Sequence, residues 1–180
     1  KVHSPAEESE GASRHAENDA PLRVLAVGRL SYYKGFDVLI RTIASMPGVT
    51  LDILGDGEEM SRLTRLVTEL DVADRITLHG RVSDREREDW LARCDCFCLP
   101  SIERSEAFGI VLLEAMAAGK ACIATAVPGT GMSWIVQEGV TGLVVPPADE
   151  AALGSALKQL GGDASLRQRM GEAGRKRFLN

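Results

Sequence analysis

Two glutamates, Glu106 and Glu114, stand eight positions apart around Phe108-Gly109 in the segment PSIERSEAFGIVLLEAMAAGK. Were the segment helical throughout, eight residues would advance about 12 Å and leave the carboxylates about 80° apart. A helix starting near Phe108 accounts for the residues better. It leaves Glu106 in the preceding loop and puts Glu114 in the second turn. Gly109 then lets a ligand approach the first backbone N–H groups, which attract anions. A carboxylate at Glu114 can accept both hydroxyls of a ribose, and Glu106 can do the same for the hydroxyls of a sugar. Two surface glutamates on a capped helix is the plainer reading. Against it, Leu112, Leu113, Ala115 and Met116 around Glu114 predict burial, where a carboxylate needs partners.

Cations are spaced for the complementary task. In VGRLSYYKGFDVLI, Arg29 follows an apolar run and Lys34 opens the next helix five residues later; a solvated basic loop is the plainer reading, and the neighbouring Gly28 and Gly35 weigh against it. Two cations beside a helix start suffice to hold a diphosphate without a metal. At an effective dielectric near 20, each contact at 4 Å is worth about 4 kcal/mol before desolvation. By contrast, LDILGDGEEM only resembles a dinucleotide fingerprint. Met60 stands where the third glycine belongs, and the next apolar run, ITLHG, ends without an acidic residue for a ribose. The motif reads as a tight strand-to-helix turn, with Asp56 or Glu58 near the positive helix start.

The elements that must position these residues follow from periodicity. Short apolar runs predict strands at Leu22–Val27, Val49–Leu54, Ile76–Leu78, Cys94–Leu99, Ala121–Thr125 and Leu143–Val145. Helical spacing falls at 35–46, 57–70, 84–93 and 107–118, and again at 132–138, 149–160 and 163–178. Strands alternating with helices predict an α/β fold: a Rossmann-like, doubly wound parallel sheet of about six strands with helices on both faces. The special residues then fall after successive strands, at Gly28-Arg29, Gly55–Gly57, His79–Arg81, Pro100-Ser101 and Pro128–Gly131. In an open parallel sheet these loops share the carboxyl edge, where ligands bind.

Composition sets the outer limits. A chain of 180 residues, 44% hydrophobic and 26% charged, has enough material for a packed core. The net charge is −5, with five acids against Lys1 and Arg14 in residues 1–20 and 21 acids against 19 bases in the rest. The near-neutral body is not built to coat nucleic acid by charge. Residues 1–20 read as a flexible acidic linker, and 21–180 as the folded domain. No apolar run approaches the ~20 residues needed to cross a bilayer, and no leader pattern follows Lys1. The chain reads as a piece of a longer protein. Cys94, Cys96 and Cys98 alternate, which predicts one strand face of small apolar thiols; with Cys122 they fit a core in a reducing, cytoplasmic compartment rather than a zinc site. The last helix carries Leu166, Met170, Ala173 and Phe178 on one face. Its cations, among them Arg175, Lys176 and Arg177, read as a solvated face or, alternatively, as a contact to an anionic membrane.

The motifs GRLSYYKG, LDILGDGEE, LHGRV, LPSIERSEAFGIVLLEAMAAGKACIAT and GVTGLVVPPAD resemble, in that order, the C-terminal domain of retaining glycosyltransferase family 4 over residues 22–160. That resemblance implies GT-B architecture and a nucleotide-diphosphate sugar held mainly by this domain, without a metal or other cofactor. It assigns Arg29 and Lys34 to the diphosphate, Glu114 to the ribose and Glu106 to the transferred sugar. The backbone of Phe108, Gly109 and Ile110 would cradle sugar and phosphate. Gly28 would lie beside the phosphates, Gly80, Arg81 and Val82 would meet the base, and Ser101 would line the site. The catalytic set it implies is Glu106, Arg29 and Lys34. The loop PGTGMSWIV lacks the glutamate that many members carry after the fifth strand, a variant that resembles bacterial surface-polysaccharide transferases. No Asp-x-Asp is present, which argues against the metal-using GT-A class. The resemblance further implies a separate N-terminal lobe bearing the acceptor site. A non-catalytic nucleotide-binding module and a sugar-nucleotide epimerase are the competing readings. Neither calls for the complete set of Arg29, Lys34, Glu106 and Glu114.

Overall fold

In the computed structural model, residues 20–106 and 108–180 are described. The linker expected at 1–20 therefore lies almost wholly outside the described residues. Six strands, β1 (Leu22–Val27), β2 (Val49–Leu54), β3 (Ile76–Gly80), β4 (Cys96–Leu99), β5 (Ala121–Thr125) and β6 (Gly142–Val145), form one sheet in the order 3-2-1-4-5-6. Every pairing is parallel. The α/β, Rossmann-like architecture expected from the sequence is the one observed. β1 and β4 adjoin at the point where the chain order reverses, the place where such sheets open a crevice at their carboxyl ends.

Helices fill both faces: α1 (Phe36–Ala44), α2 (Met60–Glu69), α3 (Asp84–Arg93), α4 (Ile110–Ala117), α5 (Met132–Ile135), α6 (Glu150–Gly162) and α7 (Ala164–Leu179). Strand alternation divides the core. Val24, Ala26, Cys96 and Cys98 face one layer with Leu39, Ile40 and Leu157, while Leu25, Phe97 and Leu99 face the other with Leu91, Leu112 and Met132. Cys94 is a correction to the single thiol face. It ends α3 before β4 begins, donates its thiol to Leu91 O at 3.4 Å, and packs in the second layer with Phe97. All four cysteines are free and buried. Burial pushes the Cys94 thiol up to about 11 and raises those of Cys96, Cys98 and Cys122 well above the ordinary thiol range too.

Helix boundaries follow local chemistry. Ser83 accepts from Glu86 N–H while the Glu86 carboxylate accepts from Ser83 N–H, a reciprocal cap that fixes the start of α3. Asp149 and Asp163 cap α6 and α7. The buried face of α7 differs from the one the sequence suggested. Met170, Gly171 and Gly174 are buried and Phe178 is half exposed, because a Cβ on Gly171 would stand 2.0 Å from Gly119 O. Its cations are also less free than expected. Arg167 donates to the last carbonyls of α6, and Arg177 donates to Trp134 O at 2.8 Å and stacks on the Trp134 ring. Among the described residues no helix is long and apolar enough to cross a membrane.

Candidate active site

The chain leaves β1 at Gly28 and makes a short 3-10 turn at Tyr32–Lys34 before α1. Lys34 thus ends that turn instead of opening α1, whose cap is Gly35. Gly35 has φ +66°, and a Cβ there would stand 2.2 Å from Pro100 O, so this junction presses directly on the end of β4. Ile102 N–H donates to Tyr33 O at 2.8 Å and locks the two loops together. The Lys34 stem crosses above Gly28, with Cε and Nζ 3.3 Å from the point where a Gly28 Cβ would be. A side chain there would crowd that path and push the lysine aside by a few tenths of an ångström.

At the end of the path Lys34 Nζ pairs with Glu106 Oε2, the side chains being 10% and 12% exposed. The Glu106 Oε1 accepts from Gly109 N–H at 3.1 Å, and Ser101 Oγ lies 3.5 Å from Oε2. Ser101 is itself fully buried, and its carbonyl accepts from the Thr125 hydroxyl on β5. α4 begins at Ile110, two residues later than expected, because Gly109 adopts the left-handed conformation as its cap. Glu114 is in the second turn, as expected. The outcome is one cation, one carboxylate and the N-terminus of α4 converging at the β1/β4 crevice. Such a constellation offers charge and directed N–H groups to a bound anion.

Beside it opens a cavity of 640 Å³, lined by Gly28, Arg29, Gly55, Asp56, Arg81 and Arg87 among others. Arg29 is no twin of Lys34. Its side chain is 71% exposed, with Nε 3.2 Å from Glu58 Oε2. Hydrogen bonds from its own backbone N–H and from Ser31, with Arg29 adding to them, hold the Glu58 carboxyl below the usual carboxylate range. Val82 also lines the cavity, and Gly80, with φ +72°, turns the chain into it. The Phe108 and Ile110 side chains are exposed.

Glu114 corrects the expectation of burial. Its side chain is 35% exposed and its partner is Arg87 of α3, with Nε 3.0 Å from Oε2. Sequence reasoning missed Arg87. The capping signal at Ser83 and Glu86 locates its helix, yet nothing in DREREDWLAR marks which charge turns toward the site. It also missed Arg104, whose side chain lies 2.9 Å from where a Cβ on Gly129 would stand and thus covers the Pro128–Gly131 loop. In sum, Lys34, Ser101 and Gly109 all meet Glu106. Gly28, Arg29, Arg81 and Val82 line the adjoining cavity, and Glu114 is tied to that cavity through Arg87.

Residues 8–177 match the family described as Glycosyl transferases group 1. The chain belongs to that family. Among relatives of this group 1 domain is the lipopolysaccharide core biosynthesis glycosyltransferase LpsE of Rhizobium meliloti (strain 1021). It is 37% identical over 161 residues, which are 89% of this chain and 45% of that protein. A sucrose-phosphate synthase from Thermosynechococcus elongatus superposes with a TM-score of 0.83 at 32% identity, over 93% of this chain and 43% of the other. HepE of Anabaena in complex with UDP-glucose superposes at 0.79 and 25% identity, over 98% and 48% respectively. The group 1 domain described here therefore spans less than half the length of each of these three proteins.

Proposed function

We propose that this chain is the C-terminal, donor-binding domain of a retaining glycosyltransferase of family 4. The whole enzyme would move a sugar from a nucleotide-diphosphate sugar to an acceptor in surface polysaccharide or glycolipid synthesis. The observation that carries the reading is the nearly buried Lys34–Glu106 pair at the N-terminus of α4, reached by a lysine that crosses over Gly28 in the wall of the neighbouring cavity. The HepE structure with UDP-glucose, which shares the fold, supports a nucleotide sugar as the ligand class.

In this proposal the diphosphate lies along Gly28 toward the start of α4, within reach of Lys34 and, on its exposed side, of Arg29. Negative charge develops on the diphosphate as the anomeric bond breaks. Lys34 and the N–H groups at the start of α4 would stabilise it from fixed positions, while the exposed Arg29 would swing from Glu58 to join them. Glu106, held by Lys34 and Gly109 N–H, accepts from hydroxyls of the transferred sugar and fixes its orientation. Glu114 takes the ribose, while Gly80, Arg81 and Val82 meet the base. Charge neutralisation is assigned to the cations without a metal, and the acceptor to a separate N-terminal lobe. A cytoplasmic location, with peripheral contact to an anionic membrane through Arg175 and Lys176, belongs to the same proposal.

Calorimetry tests it. A thermal-shift screen against UDP-, GDP- and ADP-sugars should raise the melting temperature for one base, since a ligand that binds only the folded state stabilises it. Arg29→Ala should then weaken binding of that nucleoside diphosphate more than binding of the bare nucleoside. Equal losses for both would remove Arg29 from the diphosphate site. The 180-residue chain alone should bind donor weakly and transfer little sugar, and vigorous turnover by it would overturn the two-lobe reading.

A further inference from the structure

Arg87 stands where two cavities meet. It lines the 640 Å³ cavity with Gly28, Arg29 and Arg81, and also the neighbouring 570 Å³ groove with Glu88, Ile110 and Glu114. Its guanidinium spans two carboxylates, Nε at 3.0 Å from Glu114 Oε2 and Nη1 at 3.1 Å from Asp84 Oδ1. A planar fork makes both bonds at once in a fixed geometry, which an ammonium cannot do. The anchor is rigid on one side, because the Ser83–Glu86 cap fixes the first turn of α3. Without Arg87, Glu114 would be a part-exposed side chain free to take any rotamer over solvent.

We propose that Arg87 is a positioning residue: it sets the Glu114 carboxylate for a ribose and thereby determines preference for a ribonucleotide over a deoxyribonucleotide. This rests on the assignment of Glu114 to the ribose made above. One Glu114 oxygen is occupied by Arg87, and the carboxylate keeps acceptor positions for two hydroxyls. Fixing the carboxylate in advance removes the cost of ordering it when the nucleotide binds. Arg87 touches no reacting atom in this arrangement and acts through Glu114.

The test uses whichever of UDP, GDP and ADP binds the chain, together with its 2′-deoxy counterpart and inorganic pyrophosphate, by calorimetry. The unaltered chain should prefer the ribonucleotide about tenfold, the value of one hydrogen bond to a charged group. Arg87→Met should reduce that ratio to about twofold, weaken pyrophosphate by less than it weakens the ribonucleotide, and barely move the melting temperature. Arg87→Lys should fall between, and it carries the test should Arg87→Met fail to fold. A purely structural role would weaken all three ligands together and overturn the proposal. So would an intact tenfold ratio in Arg87→Met. If the unaltered chain has no ribose preference, or if Glu114→Gln retains it, the assignment of Glu114 fails and this inference falls with it.

Discussion

Glu106 and Glu114 leave the same strand-to-helix segment, yet they work under opposite conditions. Glu106 lies just before α4, about 12% exposed, with Lys34, Gly109 N–H and Ser101 around it. Glu114 lies one turn into α4, 35% exposed, and meets Arg87 across the rim of the cavity. The first pair is set into the fold, held between the end of β4 and the turn after β1. The second is laid across its surface from α3 to α4. The difference teaches that one short segment can hold two carboxylates of different standing in the fold: one paired almost out of solvent, followed by one paired at the surface.

The largest effect should come from breaking the inner pair. Lys34→Ala leaves the Glu106 carboxylate nearly buried beside one N–H and a distant hydroxyl. Removing one partner of such a pair costs about 3 kcal/mol or more. For a domain of this size that is a fall in Tm of roughly 6–12 °C. The double change Lys34→Met with Glu106→Gln should recover part of the loss, because no charge is stranded. Thermal melts of the three variants check this. Equal Tm for Lys34→Ala and the parent would place the pair in the surface class with Arg87–Glu114.

Alkaline pH should come next, since the inner region rests on β4 and β5, which carry three of the buried thiols, with Cys94 just before β4. Burial, the leading cause, raises the Cys94 thiol to about 11, and the three other thiols move the same way. The unfolded chain loses these protons near pH 9, while the folded chain still holds them. Stability is therefore full below about pH 9 and falls as pH rises toward the folded values. Four thiols acting together predict a loss of about 3 kcal/mol between pH 8 and 9.5. Urea midpoints at the two pH values measure it, and a flat profile would mean the thiols are not shielded.

Two glycines then sharpen the contrast at the level of the backbone. Gly35 and Gly80 both have positive φ, but a Cβ on Gly35 meets Pro100 O while one on Gly80 meets nothing within 4 Å. Gly35→Ala should cost about 2–4 kcal/mol from conformation and collision together. Gly80→Ala should cost about 1 kcal/mol from conformation alone. Denaturation midpoints of the two variants give the ratio directly, and similar costs would mean that the contact with Pro100 relaxes freely.

Much of this contrast was legible before the fold was. Strands β1, β2 and β5 end where their apolar runs end, and the glycines after them announce the carboxyl edge. That Glu106 would lie in the loop before α4 was also readable, because Gly109 marks the start of that helix. What escaped was partnership across elements. The surrounding leucines and methionine made Glu114 look buried, but Leu113 is itself only part-buried, and Ile110, one turn before Glu114 on the same face, is exposed. Arg29 and Lys34 looked equivalent from spacing alone. Only the left-handed Gly35 and its contact with Pro100 turn Lys34 inward while Arg29 stays out with Glu58. Arg87 was hidden among the charges of α3, whose low apolar content marks the helix without marking its inward face.

The smallest effect on stability belongs to the outer pair, and it decides the comparison. Arg87–Glu114 is partly exposed, so solvent competes for both partners and the pair contributes about 0.2–1 kcal/mol to folding. Glu114→Gln should therefore shift Tm by only a degree or two and leave the urea midpoint almost unchanged. It should nonetheless weaken nucleoside binding about tenfold, since a neutral amide accepts hydroxyl hydrogen bonds less strongly than a carboxylate. Inorganic pyrophosphate should bind the variant as it binds the parent. This combination of small stability loss, large nucleoside loss and no diphosphate loss is the reverse of what Lys34→Ala should give. Were Glu114→Gln to destabilise the fold as much as Lys34→Ala, the outer carboxylate would be as structural as the inner one. The division of labour along α4 would then disappear.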